Sequence, residues 1–274
     1  MNTKVAKEGL IYLYCITDNV PELKEIENLV NNLYFIFRLG LYAVVSKVSA
    51  DEFNEANLKK NLADLEWVKA KVNIHEKVIE EVMKGTCVIP FKFATLFNTE
   101  NTLKAMLKKQ NGILKENLDN LRDKEEWGVK IYCDIEKLKK NLIQEDKELL
   151  NLDKEIKSSS VGKAFVLKKK KEELLNTIVN KKLNDYGQES FERLKQHSIR
   201  SRINKLLPKE VTERNDEMIL NSAFLINKDK VGDFLNIVED LRAKYTDRGL
   251  FFDCTGPWPP YNFCEATTYG AKRT

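Results

Sequence analysis

The residue types that carry most enzymatic chemistry are few in this chain and are not gathered together. There are two histidines, His75 and His197. His75 falls on the apolar stripe of an expected helix, where a satisfied buried histidine is the ordinary occupant and a ligand role the lesser alternative. His197 stands among Lys195, Arg200 and Arg202 and reads as surface. The five cysteines are Cys15, Cys87, Cys133, Cys254 and Cys264. No two have the spacing of a zinc knuckle or a redox pair. Isolated histidines and scattered thiols supply no set of three or four metal ligands. The eleven glycines are spread singly, without a phosphate-cradling loop. No serine stands in a Gly-x-Ser-x-Gly turn. The carboxylates lie among lysines on helices, as on solvated faces. Neither a cofactor, a metal nor a catalytic set is expected, and an interaction protein is favoured over an enzyme.

The elements that must hold these residues are strands and amphipathic helices. The chain has 274 residues, 42% hydrophobic and 32% charged, with a net charge of +4. That is enough apolar material for one large or two medium domains. Charge is mixed along most of its length, so bulk electrostatics call for neither nucleic acid nor membrane. Cys15, Cys87, Cys133 and Cys254 sit in apolar runs, as buried free thiols do, which fits a reducing cytoplasm. Met1 to Gly9 has no signal-peptide pattern, and no window is long enough to span a bilayer.

Leu10 to Ile16 reads as a buried strand, and residues 17–32 as a polar connection beginning near Pro21. Strands at 33–38 and 41–48 flank Leu39-Gly40, a hairpin spacing. Ser49 and Glu52 form a helix-start pair. Leu58, Leu62, Leu65, Val68, Val72, His75, Ile79 and Val82 predict one helix over 58–83, stopped by Gly85. Thr86 to Phe93 is extended, with Pro90 at an edge or strand end. A helix over about 99–123 is interrupted near Asn111-Gly112.

Val129, Ile131 and Cys133 alternate in a strand that opens a second domain. Helices over 135–157 and 163–195, broken at residues 158–162, predict an antiparallel helical hairpin. A possible strand at 198–207, a strand at 218–226, a helix at 230–245 and a strand at 249–255 follow. The fold class expected is α+β with two domains. Residues 1–125 form an N-terminal α+β domain. Residues 126–274 form a ferredoxin-like domain with an inserted helical hairpin, at about 135–195.

Two stretches remain. Lys168-Lys169-Lys170-Lys171 points round most of a helix and reads as solvated surface. With Arg200, Arg202, Lys205 and Lys209 it supports an alternative function, nucleic-acid or polyanion binding, though no aromatics interleave with it. The second is Gly256-Pro257-Trp258-Pro259-Pro260-Tyr261-Asn262-Phe263. Its three prolines fix φ and remove backbone donors, so its aromatics ride on a stiff frame. They either plug the body of the protein, with Trp258 anchoring the sheet edge, or face a partner; the plug is favoured.

That terminal run resembles the C-terminal signature of the gas vesicle protein F/L family (GvpF/GvpL). Leu10 to Ile16 is similar to the family's aromatic first strand. His75 to Glu80, then Val88-Ile89-Pro90-Phe91-Lys92-Phe93-Ala94-Thr95-Leu96-Phe97, resembles its central histidine and a proline–basic–Phe–Gly–Thr stretch. Lys92 replaces the usual arginine there and Ala94 the usual glycine. Trp127 to Lys130 and Gly162 to Phe165 complete the match. The resemblance implies a non-catalytic, cytoplasmic accessory protein of gas vesicle assembly. It implies as partners the small hydrophobic shell protein, GvpA-like, and other accessory proteins, with nucleic acid and membrane not expected. It implies family-motif positions at His75, Pro90, Lys92, Phe93 and Thr95. The tail residues Gly256, Pro257, Trp258, Pro259, Pro260, Tyr261 and Phe263 form a motif that is structural or meets a partner.

Overall fold

The computed structural model describes residues 9–21 and 30–264. Expectations that fell on residues 1–8, 22–29 and 265–274, including part of the 17–32 connection, lie outside the described residues. The chain divides into two compact units, one of Met1–Glu125 with Trp258–Thr274, the other of Glu126–Pro257. The tail from Trp258 is thus grouped with the first unit, not the second, where the expected boundaries placed it.

The first unit is built on β1 (Leu10–Thr17), β2 (Leu33–Arg38), β3 (Leu41–Val48), β4 (Ile89–Pro90) and β5 (Leu96–Phe97). The order is β2-β3-β1-β4, with β5 also on β1. All these pairings are antiparallel. β1 is central and entirely aromatic, aliphatic or small, so both its faces are buried. Leu39 and Gly40 turn the β2–β3 hairpin with positive φ. Pro90 sits on the outermost short strand, where a missing N–H costs no ladder bond.

The connection after β3 holds three helices: α1 (Ala50–Phe53), α2 (Glu55–Asn61) and α3 (Leu65–Gly85). The single helix expected over 58–83 is therefore wrong at its start. Asp64 caps α3 instead, its carboxylate accepting from the backbone N–H of Glu66 at 3.1 Å and of Trp67 at 3.2 Å. Leu62 and Leu65, counted on the stripe, are exposed. Downstream, Val78, Ile79 and Val82 pack with Tyr12, Tyr14, Cys15 and Val44. α4 (Glu100–Lys109) and α5 (Asn111–Leu121) follow, and their leucines 103, 107, 114 and 118 are fully buried.

The second unit contains β6 (Lys124–Cys133), α6 (Ile135–Glu145), α7 (Lys147–Ser158), α8 (Val161–Lys195), β7 (Arg200–Ile203), α9 (Lys209–Thr212), β8 (Glu217–Asn227), α10 (Val231–Tyr245) and β9 (Leu250–Trp258). Its sheet order is β7-β8-β6-β9. The helix expected over 135–157 is broken at Asp146, whose side chain caps α7 through the N–H groups of Glu148 and Leu149. The heptad stripe hides that break, because Leu142 and Leu149 are buried on both sides of it. α7 and α8 run back on one another, tied by Lys171–Asp153 at 2.6 Å and Lys163–Glu155 at 2.9 Å. The core gathers Val129, Ile131, Leu138, Phe191, Phe224, Phe234, Leu241 and Phe252.

β9 is longer than the strand expected at 249–255, running on through Gly256 and Pro257 to Trp258. It is an outer strand of its sheet, which is where a strand can hold proline. The Gly256–Pro257 peptide bond is cis. None of the five cysteines is joined in a disulfide. Cys15, Cys133 and Cys264 are buried, but Cys87 and Cys254, expected to be buried, are only half-buried.

Candidate functional site

One of the family-motif residues, His75, meets Tyr261 of the tail in a buried polar network in the first unit. α3 places His75 on the face that covers β1, and its ring is 1% exposed. Its Nε2 lies 3.0 Å from the Phe91 carbonyl oxygen and 3.2 Å from the Tyr261 hydroxyl. Its Nδ1 lies 3.0 Å from the Tyr12 hydroxyl. A carbonyl can only accept, so Nε2 carries the proton and Nδ1 accepts from Tyr12. The Tyr12 oxygen in turn accepts the Ala94 N–H at 3.0 Å. Tyr261 donates to Glu76 Oε1 at 3.0 Å. Every proton in the chain Ala94–Tyr12–His75–Tyr261–Glu76 thus has one direction.

Burial pushes the His75 imidazole down to about 4, only partly offset by the Phe91 carbonyl, so the ring is neutral near pH 7. Burial likewise raises Glu76, opposed by the Tyr261 hydroxyl. Tyr12 and Tyr261 are both raised far beyond the ordinary phenol range, chiefly by burial. Tyr14 stacks on the imidazole, with ring centres 5.6 Å apart, and Phe93 meets it edge-on at 5.9 Å. With Lys71 and Glu52 at its rim, a pocket of about 280 Å³ opens beside these rings.

Such a network holds elements together. It joins β1, α3, the 91–95 turn and the tail through one imidazole. Among the described residues no group of three or more metal-ligating side chains occurs.

The other motif residues have backbone roles. The Lys92 carbonyl accepts from the Thr95 N–H at 3.1 Å and from the Thr95 hydroxyl at 2.6 Å. This closes a tight turn whose third residue, Ala94, has φ 59. Turns with that geometry put glycine there because an L side chain crowds the backbone. The glycine that the resemblance implies at this position, where alanine stands here, would suit that conformation. Ala94→Gly should raise the stability of the first unit by about 0.5–1 kcal/mol, read as a shift in its urea midpoint. The Lys92 side chain itself is exposed.

In the tail, Pro259, Pro260, Phe263 and Cys264 are buried. Trp258, expected to anchor the sheet edge, is 42% exposed. Of the other tail aromatics, Phe263 is buried and Tyr261 is half-buried, its hydroxyl bonded to His75 and Glu76. Tyr261→Phe removes one donor to Glu76 and one acceptor for His75. It should cost about 1–2 kcal/mol and speed hydrogen exchange at the Phe263 amide, which is bonded to the Pro260 carbonyl. Tyr12 and Glu76 were not singled out from the sequence. The signal available was a pair of tyrosines in an otherwise apolar strand, whose hydroxyls need buried partners.

Comparison with known proteins places this arrangement. Residues 10–265 match the family model described as gas vesicle synthesis protein GvpL/GvpF. The chain belongs to the GvpL/GvpF family. It is 22% identical over 223 residues to gas vesicle protein L of a Streptomyces species, covering 81% of this chain and 79% of that protein. Gas vesicle protein F1 of Halobacterium salinarum is 23% identical over 205 residues, covering 74% and 72%. The crystal structure of GvpF from Anabaena matches with a TM-score of 0.69 at 19% identity, covering 94% of this chain and 98% of that one. GvpF from Microcystis aeruginosa matches with 0.63 at 19%, covering 93% and 99%. The chain therefore shares the mixed helix-and-sheet fold of GvpF and belongs to a family of gas vesicle accessory proteins. No helix among the described residues is long and apolar enough to cross a membrane.

Proposed function

We infer that this protein is a non-catalytic assembly factor that binds the small hydrophobic gas vesicle shell protein, together with other accessory proteins, in the cytoplasm during nucleation. The observation that carries the reading is the family match across residues 10–265. A subunit built to face gas exposes a large apolar surface before assembly, and that surface aggregates in water unless it is covered. The first unit has a place suited to such a partner. Among the described residues β2 lies at one edge of its sheet, and Phe35 and Phe37 on it are 39% and 54% exposed. An edge strand whose aromatics, though packed on Tyr42, remain partly exposed can receive another strand. The exposed Trp258 ring is a second candidate contact. The second unit is ferredoxin-like on this reading, since its strands in chain order lie 2-3-1-4 across the sheet, with α7 and α8 as an inserted helical hairpin.

Co-expression pull-down with the shell protein tests this. Recovery of the shell protein is expected to fall sharply for the Phe35→Ser/Phe37→Ser double variant with little change in melting temperature. No association, with or without the other accessory proteins, would sink the reading. Trp258→Ala separates roles for the tail: an intact fold with lost binding marks a contact, and a large fall in melting temperature marks a structural ring.

A further inference from the structure

We propose that the turn between α7 and α8 is a second, separate docking surface for a protein partner, and that the partner presents an acidic amphipathic helix. Residues 153–171 hold seven lysines against Asp153 and Glu155, a net +5 in a chain whose total is +4, so the rest of the molecule is close to neutral. Both acids are already used, Glu155 by Lys163 and Asp153 by Lys171. The ion pairs of this stretch use only Lys163 and Lys171; Lys154, Lys157, Lys168, Lys169 and Lys170 have no carboxylate within 4 Å among the described residues, although Glu172 and Glu173 follow directly in the chain. In the same stretch Val161, Phe165 and Val166 are 90%, 73% and 64% exposed.

Single exposed apolar side chains are ordinary, but three within six residues on one helix are not. The inward stripe of α8 is formed by Leu174, Leu175 and Ile178, which pack against the core, with the half-buried Leu167 in line with them. At 3.6 residues per turn Phe165 and Val166 point away from that stripe, on either side of Gly162. The space where a Gly162 side chain would stand is open. An aromatic–aliphatic pair with Lys169 and Lys170 one turn on, each at i+4, is the composition of a contact centre with a charged border. Its complement is an apolar stripe flanked by carboxylates.

Two other surfaces fit less well. For tip-first insertion into an anionic bilayer, the extreme end of the turn would have to be apolar. It is Ser158-Ser159-Ser160, with Val161 the one apolar side chain between the flanking Lys157 and Lys163. For single-stranded nucleic acid, aromatics should interleave with the cations, and Phe165 stands alone.

The test uses the full chain and a fluorescent, acidic, helix-forming peptide with leucines on one face and glutamates flanking them. A peptide of the same composition in scrambled order is the control. The helical peptide should bind with an affinity that falls as salt rises. Phe165→Ser should weaken it about tenfold. Lys168→Gln/Lys169→Gln/Lys170→Gln should weaken it and flatten the salt dependence. Neither variant should change the melting temperature, since these side chains are exposed. The proposal is overturned if the helical peptide does not bind or if the scrambled peptide binds equally well. It is also overturned if Phe165→Ser is without effect, or if phosphatidylglycerol vesicles or a single-stranded oligonucleotide bind more tightly than the peptide. The shell protein takes no part in this measurement, so its outcome is independent of the assembly role.

Discussion

Replacing His75 by alanine should lower the stability of the first unit by about 3–5 kcal/mol. Three groups lose a hydrogen bond at once: the Tyr12 hydroxyl, the Phe91 carbonyl and the Tyr261 hydroxyl. The ring contacts with Tyr14 and Phe93 go as well. Hydrogen exchange over β1 and the 91–95 turn, followed by mass spectrometry, reads the first unit separately. Exchange in β8 should not change. Uniform acceleration in both units, or none, would be evidence against this role.

The same residue sets an acid limit. The folded-state value for His75 is about 4, below its ordinary 6.5. Above 6.5 the ring is neutral whether the chain is folded or not, and its contribution is fully present. As pH falls from 6.5 through 4 the unfolded chain takes the proton first, and about 3 kcal/mol of stability is withdrawn. Glu76, raised by burial, works in the opposite sense at the acid end, so the net loss is smaller. Tyr12, Tyr14 and Tyr261 face the ring uncharged throughout this range. Urea midpoints of the first unit should fall across that window in the wild-type chain. In a His75→Gln variant, weaker at neutral pH, they should fall much less.

Gly256→Ala is the second large effect, expected at about 2–4 kcal/mol on the second unit. Gly256 has φ 154, a backbone conformation that L side chains rarely adopt. An added methyl carbon would lie 2.8 Å from Cδ2 and 3.0 Å from Cε3 of Trp127, and 3.0 Å from the Glu126 carbonyl oxygen. None of these atoms is the loose end of a flexible chain. β9 must therefore move off β6, its neighbour in the sheet. A double-mutant cycle with Trp127→Leu divides the cost. The packing share should be relieved by the smaller side chain, while the backbone share should remain. Full additivity would mean that Trp127 is not the obstacle. Thermal unfolding of the four proteins supplies the values.

What could be read from the sequence, and what could not, follows from how far apart the interacting residues stand. The β2–β3 hairpin, the break near Asn111-Gly112 and the edge position of Pro90 are local, set by neighbours within a few residues. Asp64 and Asp146 are also local, but a continuing apolar pattern masks them: a capping aspartate and a solvent-facing aspartate look alike until the backbone around them is seen. His75 reads as a buried, satisfied histidine from its place on the α3 stripe. Its partners do not, because Tyr12 is 63 residues away and Tyr261 is 186. In the tail the pattern shows that aromatics must serve a purpose without showing which ones. The ring that looks most like an anchor, Trp258, stays 42% exposed at the end of a strand that runs three residues further than its apolar pattern.

The grouping of the tail with the first unit has a consequence for the order in which this protein is made. The ribosome finishes every residue of the second unit, Glu126–Pro257, before it reaches Tyr261 and Phe263. The half of the molecule begun first is thus completed last. Until then Glu76 lacks the Tyr261 hydroxyl and the His75 network stands open at one end. A chain stopped short after β9 would hold a whole second unit and an unfinished first one. The strand that exposes Phe35 and Phe37 belongs to that late-maturing part.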